Sequence, residues 1–566
     1  MSAGATSSVA TAKPTAVIPL VRVVRRCLPL GLPLGLVAPS LVWIALDRSI
    51  WPWDPAWYGR VSIELWATLR TDANQWTTAM THAFGAKPPA IAWLGQFFVP
   101  LGEIVGRDAF ALLLSVVACQ AASLTLVYLA VRRLGGVAAG GVAAFVVGAS
   151  PLFVAMSHEY FAEPIQTLAV AGLLFVLAGA ADQRAALTLA QLPGVIALGM
   201  LAKLSSPAYM APLAAGAILL VLLHRGRPVH QRPLWGDAAF IATGIVSSLL
   251  VLGALGWYRI NLDAAVDHAR LASADTGLYG IDRGFLRQFP DWVDRLRGAT
   301  FLPVVWIVVG VLTAAALALA VRGGRQVRVR DPRIVSVAAC GVAVVVVLAA
   351  LASQPNQETR YLLPLVPLVA VPVALTLAAG RRQALVALAG VAMVVQFALV
   401  TLQSFGHARG ALVSYPVVAP VRDERSANAL EEVVAQTCTN ASASRINMVG
   451  VDYPWLNHNT LELLAFARYA ERGRRCYYTA LGYAENDPEV AWKRVREFDP
   501  PFYISVDYGN PRNPLPPSQA AAVARSDAFN RINVAIFTRV KRSPEFKLVP
   551  ESRSSGLVVF RAVDGS

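Results

Sequence analysis

The chain has 566 residues, 56% of them hydrophobic and only 15% charged, with a formal net charge of +15. Soluble domains carry about 25% charged residues, so this composition, with a mean hydropathy of +0.51, excludes a string of soluble domains and indicates a polytopic α-helical membrane protein. The positive balance fits Arg-rich cytoplasmic loops better than a nucleic-acid surface, and no nucleic-acid partner is expected.

Residues 1–20 are polar and then broken by proline, with no small-residue cleavage site after an apolar core. Residues 1–26 therefore read as a disordered cytosolic tail and not as a cleaved signal. A transmembrane domain follows over 27–402. Apolar runs of about 20 residues cross the hydrocarbon core as helices, which satisfy their own backbone polar groups. The pattern predicts eleven, near 27–46, 109–131, 137–155, 164–181, 185–202, 206–224, 236–257, 301–321, 334–352, 361–379 and 383–402. The first loop, 47–108, is long, and its segment 90–105 suits an amphipathic helix lying along the interface.

Orientation follows from Lys and Arg. With the N-terminus inside, the inner segments hold 17 in 54 residues and the outer ones 13 in 124. The positive-inside rule then makes the N-terminus cytoplasmic and residues 403–566 extracytoplasmic, on a plasma (inner) membrane. That last stretch has strand-like runs at 446–453, 476–481, 502–508 and 557–563, with helix-like patterns at 459–472 and 488–498. Alternating strands and helices predict a small α/β domain. No Gly-rich phosphate loop follows any strand. Cys27, Cys119 and Cys340 fall in spanning helices as small apolar fillers. Cys438 and Cys476 fall in the extracytoplasmic domain, where a disulfide can persist; their pairing is left open.

Few charges stand at the outer helix ends. Asp54 lies among Trp51, Trp53, Trp57 and Tyr58, either as part of an interfacial aromatic belt or as a working carboxylate. Glu159 and Glu163, in SHEYFAEP, are four residues apart and so expected on one helical face. Ionisable groups at membrane depth are functional by default, and Glu163 abuts the apolar run. Lys203 and Arg360 could snorkel or hold a phosphate, Lys as a point charge and Arg as a fork. Two acids and two cations on one face suit a substrate with an anionic head and an apolar tail.

The order of these motifs resembles the GT-C membrane glycosyltransferases, in particular the protein O-mannosyltransferases and bacterial aminoarabinose transferases. The resemblance rests on WDPAWYG with Asp54, AKPPAIAWLGQFF with Lys87, Pro88 and Pro89, SPLFVAMSHEYFAEP, Lys203 at a helix end, and RYLLPLVP at 360–367. It covers about residues 40–400. Asp54 is followed by Pro55 where the family commonly has a second acid. The resemblance implies a sugar on a polyprenyl phosphate as donor, a glycan, lipid or protein acceptor, and an inverting displacement beside membrane lipid. Asp54 would be the general base and Glu163 its catalytic partner, orienting the acceptor or steadying the base. Lys87, Lys203 and Arg360 would bind the donor phosphate, and Trp57, Tyr58, Glu159 and Tyr361 would line the substrate space. No cofactor is implied and no metal need take part; the seven His residues form no HExxH spacing. Asp47, beside the same helix end, serves as a control whose change to Asn is expected to be mild. The alternatives are a transporter or flippase, which predicts internal repeats, and a non-catalytic accessory subunit of cell-envelope glycan assembly, in which Asp54 is dispensable.

Overall fold

The computed structural model describes residues 17–182, 185–224, 238–274, 282–322, 330–379, 383–407, 417–422, 425–439, 445–470, 473–481, 487–507, 527–550 and 557–563. Among them, nine helices are long and apolar enough to cross a membrane: Leu28–Leu46, Asp108–Gly135, Ala185–Ala202, Ser206–Leu223, Phe240–Ser273, Pro303–Arg322, Pro332–Ala352, Thr359–Ala379 and Gln383–Ser404. Two shorter apolar helices are Val137–Gly148 and Glu163–Gly179. Nine of the eleven expected spans coincide with the long helices, and the other two, 137–155 and 164–181, fall on the shorter ones. The basic segments 225–233 and 381–382 lie outside the described residues.

The structure corrects four details. The first helix is continuous from Val17, inside the stretch expected to be a disordered tail; residues 1–16 lie outside the described residues. The run expected as one helix over 137–155 ends at Gly148. Ser150 caps a new short helix, Pro151–Met156, because Pro151 can open a helix but not continue one. The helix expected to end near 257 runs on to Ser273. The expected interfacial helix 90–105 is two short ones, Ala90–Gly95 and Val99–Val105, and the first loop also holds Trp53–Thr71 and Ala73–His82.

Breaks in buried helices free backbone groups that lipid cannot satisfy. Here side chains do it. Gln396 donates to the carbonyls of Ala149 at 3.0 Å and Thr300 at 2.9 Å, and accepts from Leu302 N at 3.0 Å. Ser150 Oγ donates to Ala299 O at 2.7 Å. Gln396 of helix Gln383–Ser404 thus serves both interruptions, the one at 149–150 and the one at 301–302 between helices Phe285–Thr300 and Pro303–Arg322.

The C-terminal domain is a five-stranded mixed sheet, with β1 Ile446–Val449, β2 Tyr477–Ala480, β3 Phe502–Val506, β4 Phe546–Leu548 and β5 Leu557–Ala562. The spatial order is β2-β1-β3-β5-β4. β1 runs parallel to β2 and β3, while β5 is antiparallel to β3 and β4. Alternate residues serve opposite faces. Val449, Ile504 and Val559 pack with Leu430, Val434 and Leu461, from helices Arg425–Thr437 and His458–Tyr469. Met448, Tyr503 and Val558 pack with Val495, Ile532 and Ile536, from helices Pro488–Phe498 and Asp527–Arg542. The domain is therefore an α/β/α sandwich. Cys438 and Cys476 are joined as a disulfide, with Cα atoms 5.5 Å apart, tying the end of helix 425–437 to the start of β2.

Candidate active site

The site is assembled on the first loop. Asp54 lies in the first turn of helix 53–71, where unpaired backbone N–H groups favour a carboxylate. The preceding Trp53 has φ of +23°, a conformation that costs an L residue about 1–3 kcal/mol. Lys87 follows a turn in which Phe84 and Gly85 both have positive φ. Pro88 and Pro89 then lead into helix 90–95. Tyr160 OH donates to Ile91 O at 2.9 Å, and a Cβ at position 95 would strike that hydroxyl, so glycine is required there. From the other side, Trp257 Nε1 donates to Ala83 O at 3.0 Å and Asn261 Nδ2 to Thr81 O at 2.7 Å. The long helix 238–273 thus pins the loop that presents Lys87.

Five charged side chains from five separate segments meet here. Lys87 Nζ lies 2.7 Å from Asp54 Oδ1, and Lys203 Nζ lies 2.6 Å from Glu163 Oε1. Arg360 sits between the two pairs, with Nη2 at 3.6 Å from Asp54 Oδ2 and Nε at 3.4 Å from Glu163 Oε1. Its guanidinium covers the ring of Phe161 at 4.1 Å, and Lys203 Nζ lies 3.7 Å from the ring centre of Tyr361, both favourable cation–π placements. Arg360 comes from a short 3-10 turn, Thr359–Leu362. That turn is held by Tyr209, whose hydroxyl donates to Tyr361 O at 2.8 Å, and by Asn356, which donates to the Tyr361 hydroxyl at 3.2 Å. Three cations against two acids leave this set with one excess positive charge. Glu358 approaches Arg360 at 3.7 Å from the exposed side.

These groups border a cavity of about 200 Å³, lined by Asp54, Tyr58, Lys87, Glu163, Lys203, Arg360 and Tyr361 among others. Burial alone would raise the Asp54 carboxyl, but Lys87 and then Arg360 outweigh it and hold the group below its ordinary value of 3.8. Burial lowers the Lys87 ammonium below its ordinary 10.5, against the pull of Asp54. The cavity can thus take an anionic head against three donors while keeping an ionised acid beside it.

Seven of the nine side chains expected from sequence line this one cavity. Two lie elsewhere. Trp57 packs edge-on against Phe84 at 5.3 Å, behind the Lys87 ammonium, which is 5.0 Å from its ring. Glu159 is exposed on the loop 157–162, not on a helical face shared with Glu163, because the helix restarts only at Glu163, with Pro164 in its first turn. Sequence reasoning missed Phe161, Tyr209, His268 and Asn356, which also line the cavity. His268 was missed because helix 238–273 was ended too early; the helix-forming run LDAAVDHARLAS was the available signal.

A family model described as dolichyl-phosphate-mannose-protein mannosyltransferase matches residues 86–251. A second, described as the Alg9-like mannosyltransferase family, matches residues 300–446. No curated protein matches the chain by sequence. Among solved structures, ArnT from Cupriavidus metallidurans bound to undecaprenyl phosphate is similar with a TM-score of 0.53 at 12% identity, covering 94% of this chain and 98% of that one. The arabinofuranosyltransferase AftD from Mycobacteria is similar with a TM-score of 0.51 at 14% identity, covering 94% of this chain and 40% of that one. The chain thus spans nearly all of ArnT and less than half of AftD, and it shares their fold. Two mannosyltransferase family models thus match separate stretches of the chain, and the fold is the one seen in these membrane glycosyltransferase structures.

Proposed function

We propose that this protein moves a sugar from a polyprenyl-phosphate donor to a hydroxyl acceptor on the extracytoplasmic face of the plasma membrane, with inversion at the anomeric carbon. The observation that carries this reading is the convergence of Lys87, Lys203 and Arg360 on two carboxylates in a cavity among apolar helices. A phosphate on a long apolar chain is the ligand that such a place would attract. The undecaprenyl phosphate in the similar ArnT structure supports the same class of donor.

In this reading Asp54 accepts the proton of the acceptor hydroxyl as its oxygen bonds to the anomeric carbon. The bond from that carbon to the phosphate oxygen breaks, and polyprenyl phosphate leaves with the electron pair. At rest Asp54 is held by Lys87 and is a weak base. An entering phosphate competes for Lys87 and Arg360, and the carboxylate regains basicity as they turn to the new anion. Glu163 keeps Lys203 and Arg360 aimed inward and orders the catalytic set.

The test is Asp54→Asn, nearly isosteric but unable to take the proton. Transfer is expected to fall by about 10²–10⁴-fold, the usual contribution of a positioned base, with insertion and expression unchanged. An accessory subunit would tolerate the change. The face assignment rests on Lys and Arg density, and a reporter fused after Gly406 is expected to be active only outside the cytoplasm. Activity inside would reverse the orientation of the whole site.

A further inference from the structure

The C-terminal domain grips the helix that carries Asp54. Thr460 Oγ1 donates to Trp51 O at 2.8 Å. Arg60 Nε lies 3.3 Å from Glu462 Oε2, while Glu462 Oε1 accepts from Tyr478 N at 3.0 Å. Helix 53–71 is thereby linked through helix 458–469 to strand β2. Close approach is possible because position 59 is glycine; a Cβ there would meet Trp51 at 3.0 Å and Leu463 at 3.1 Å.

One contact lies directly beside the acid. Trp53 Nε1 donates to Asp452 Oδ1 at 2.7 Å, across 399 residues of sequence. The backbone on either side of Asp452, between β1 and helix 458–469, is held by hydrogen bonds. Gly450 N donates to Ile504 O at 2.8 Å, Tyr453 N to Leu456 O at 2.9 Å, and Asn457 Nδ2 to Tyr453 O at 3.0 Å. Trp53 meanwhile holds φ of +23°, which an L residue keeps only when its surroundings impose it. Relaxing that angle would turn the chain at the residue immediately before Asp54.

Resting on the proposed role of Asp54, we propose that the C-terminal domain positions the catalytic carboxylate by holding the Trp53 indole with Asp452. Asp452 is a positioning residue; it acts through Trp53 and does not touch the reacting atoms. The domain is on this account a working part of the transferase site.

The experiment compares purified wild type, Asp452→Ala, Asp452→Asn, Trp53→Phe, the double variant Trp53→Phe with Asp452→Ala, and Asp54→Asn. The donor is the lipid-linked sugar fraction extracted from membranes of cells lacking this protein, with their envelope fraction as acceptor. Binding of undecaprenyl phosphate alone is measured in parallel. Misplacing a catalytic group by about an ångström costs on the order of tenfold to 100-fold in rate, so Asp452→Ala is expected to lower kcat by that factor. Donor KM and undecaprenyl phosphate affinity are expected to stay within about twofold, the mark of an effect confined to the transition state. Asp452→Asn keeps an oxygen acceptor for the indole and is expected to restore most of kcat. Trp53→Phe is expected to match Asp452→Ala, and the double variant to lose no more than either. Wild-type kcat in Asp452→Ala, a loss confined to KM, or losses that multiply in the double variant would each overturn the positioning role. If Asp452→Ala does not fold, Trp53→Phe and Asp452→Asn decide by the same criteria. Full activity in Asp54→Asn would instead sink the underlying mechanism, so the two failures are distinct.

Discussion

Asp47 and Asp54 follow each other closely in sequence after the first spanning helix, yet their surroundings differ in kind. The Asp47 carboxylate accepts from Ser49 N at 3.2 Å, Ser49 Oγ at 2.5 Å and Val421 N at 2.9 Å. Arg48 N returns a bond to Val421 O at 2.7 Å. These donors are neutral and fixed, and the acid works as a joint between the first helix and the segment entering the C-terminal domain. The partners of Asp54 are cations, and Arg360 is shared with Glu163. Neutral backbone donors satisfy a carboxylate without leaving charge to offer. Shared cations can be redistributed when an anionic ligand arrives. The kind of partner, more than nearness to aromatic residues, separates Asp54, the proposed base, from Asp47.

Two substitutions sharpen this contrast in the currency of stability. Lys203→Met removes the nearer cation from Glu163, whose side chain is only 3% exposed. Leaving a buried charge without its partner costs about 3–5 kcal/mol, with the low end expected because Arg360 remains at 3.4 Å. Thermal unfolding of purified protein should show this drop, and an unchanged Tm would mean that the cavity charges are not held by one another. Asp47→Ala strands neutral donors instead. An unsatisfied buried hydrogen-bonding group costs about 1–3 kcal/mol, so its Tm should fall less than that of Lys203→Met. A larger fall for Asp47→Ala would reverse the comparison. Asp47→Asn retains an oxygen for Val421 N and should be milder still.

The spanning helices were legible because the bilayer imposes length and apolarity on every one. Their irregularities were less so. The break at 149–150 is signalled by Ser150 and Pro151, whereas the partner that makes it tolerable, Gln396, lies far along the chain. In the C-terminal domain, four strands of β character were readable. β4 is three residues long and partly exposed, so it carries little pattern. Helices 425–437 and 527–542 were overlooked although their apolar spacing, as in Leu430, Val433 and Val434, is helical.

At the site, most of the side chains that line the cavity could be picked out beforehand, since charges are rare in an apolar chain. Their pairing was not. Nothing local links Lys203 to Glu163 or Arg360 to Asp54; only the packing of separate helices does. The control role expected of Asp47 is likewise refined, because its tie to Val421 could not be read from sequence.

The most direct test places Asp54→Asn beside Asp47→Asn in one transfer assay with a polyprenyl-phosphate sugar donor. Both substitutions remove one negative charge shortly after the first spanning helix in sequence. A base contributes about 10²–10⁴-fold, so Asp54→Asn should lose at least the lower part of that range while Asp47→Asn stays close to wild type. Equal activity in the two variants, whether both high or both low, would contradict the assignment of Asp54 as the base.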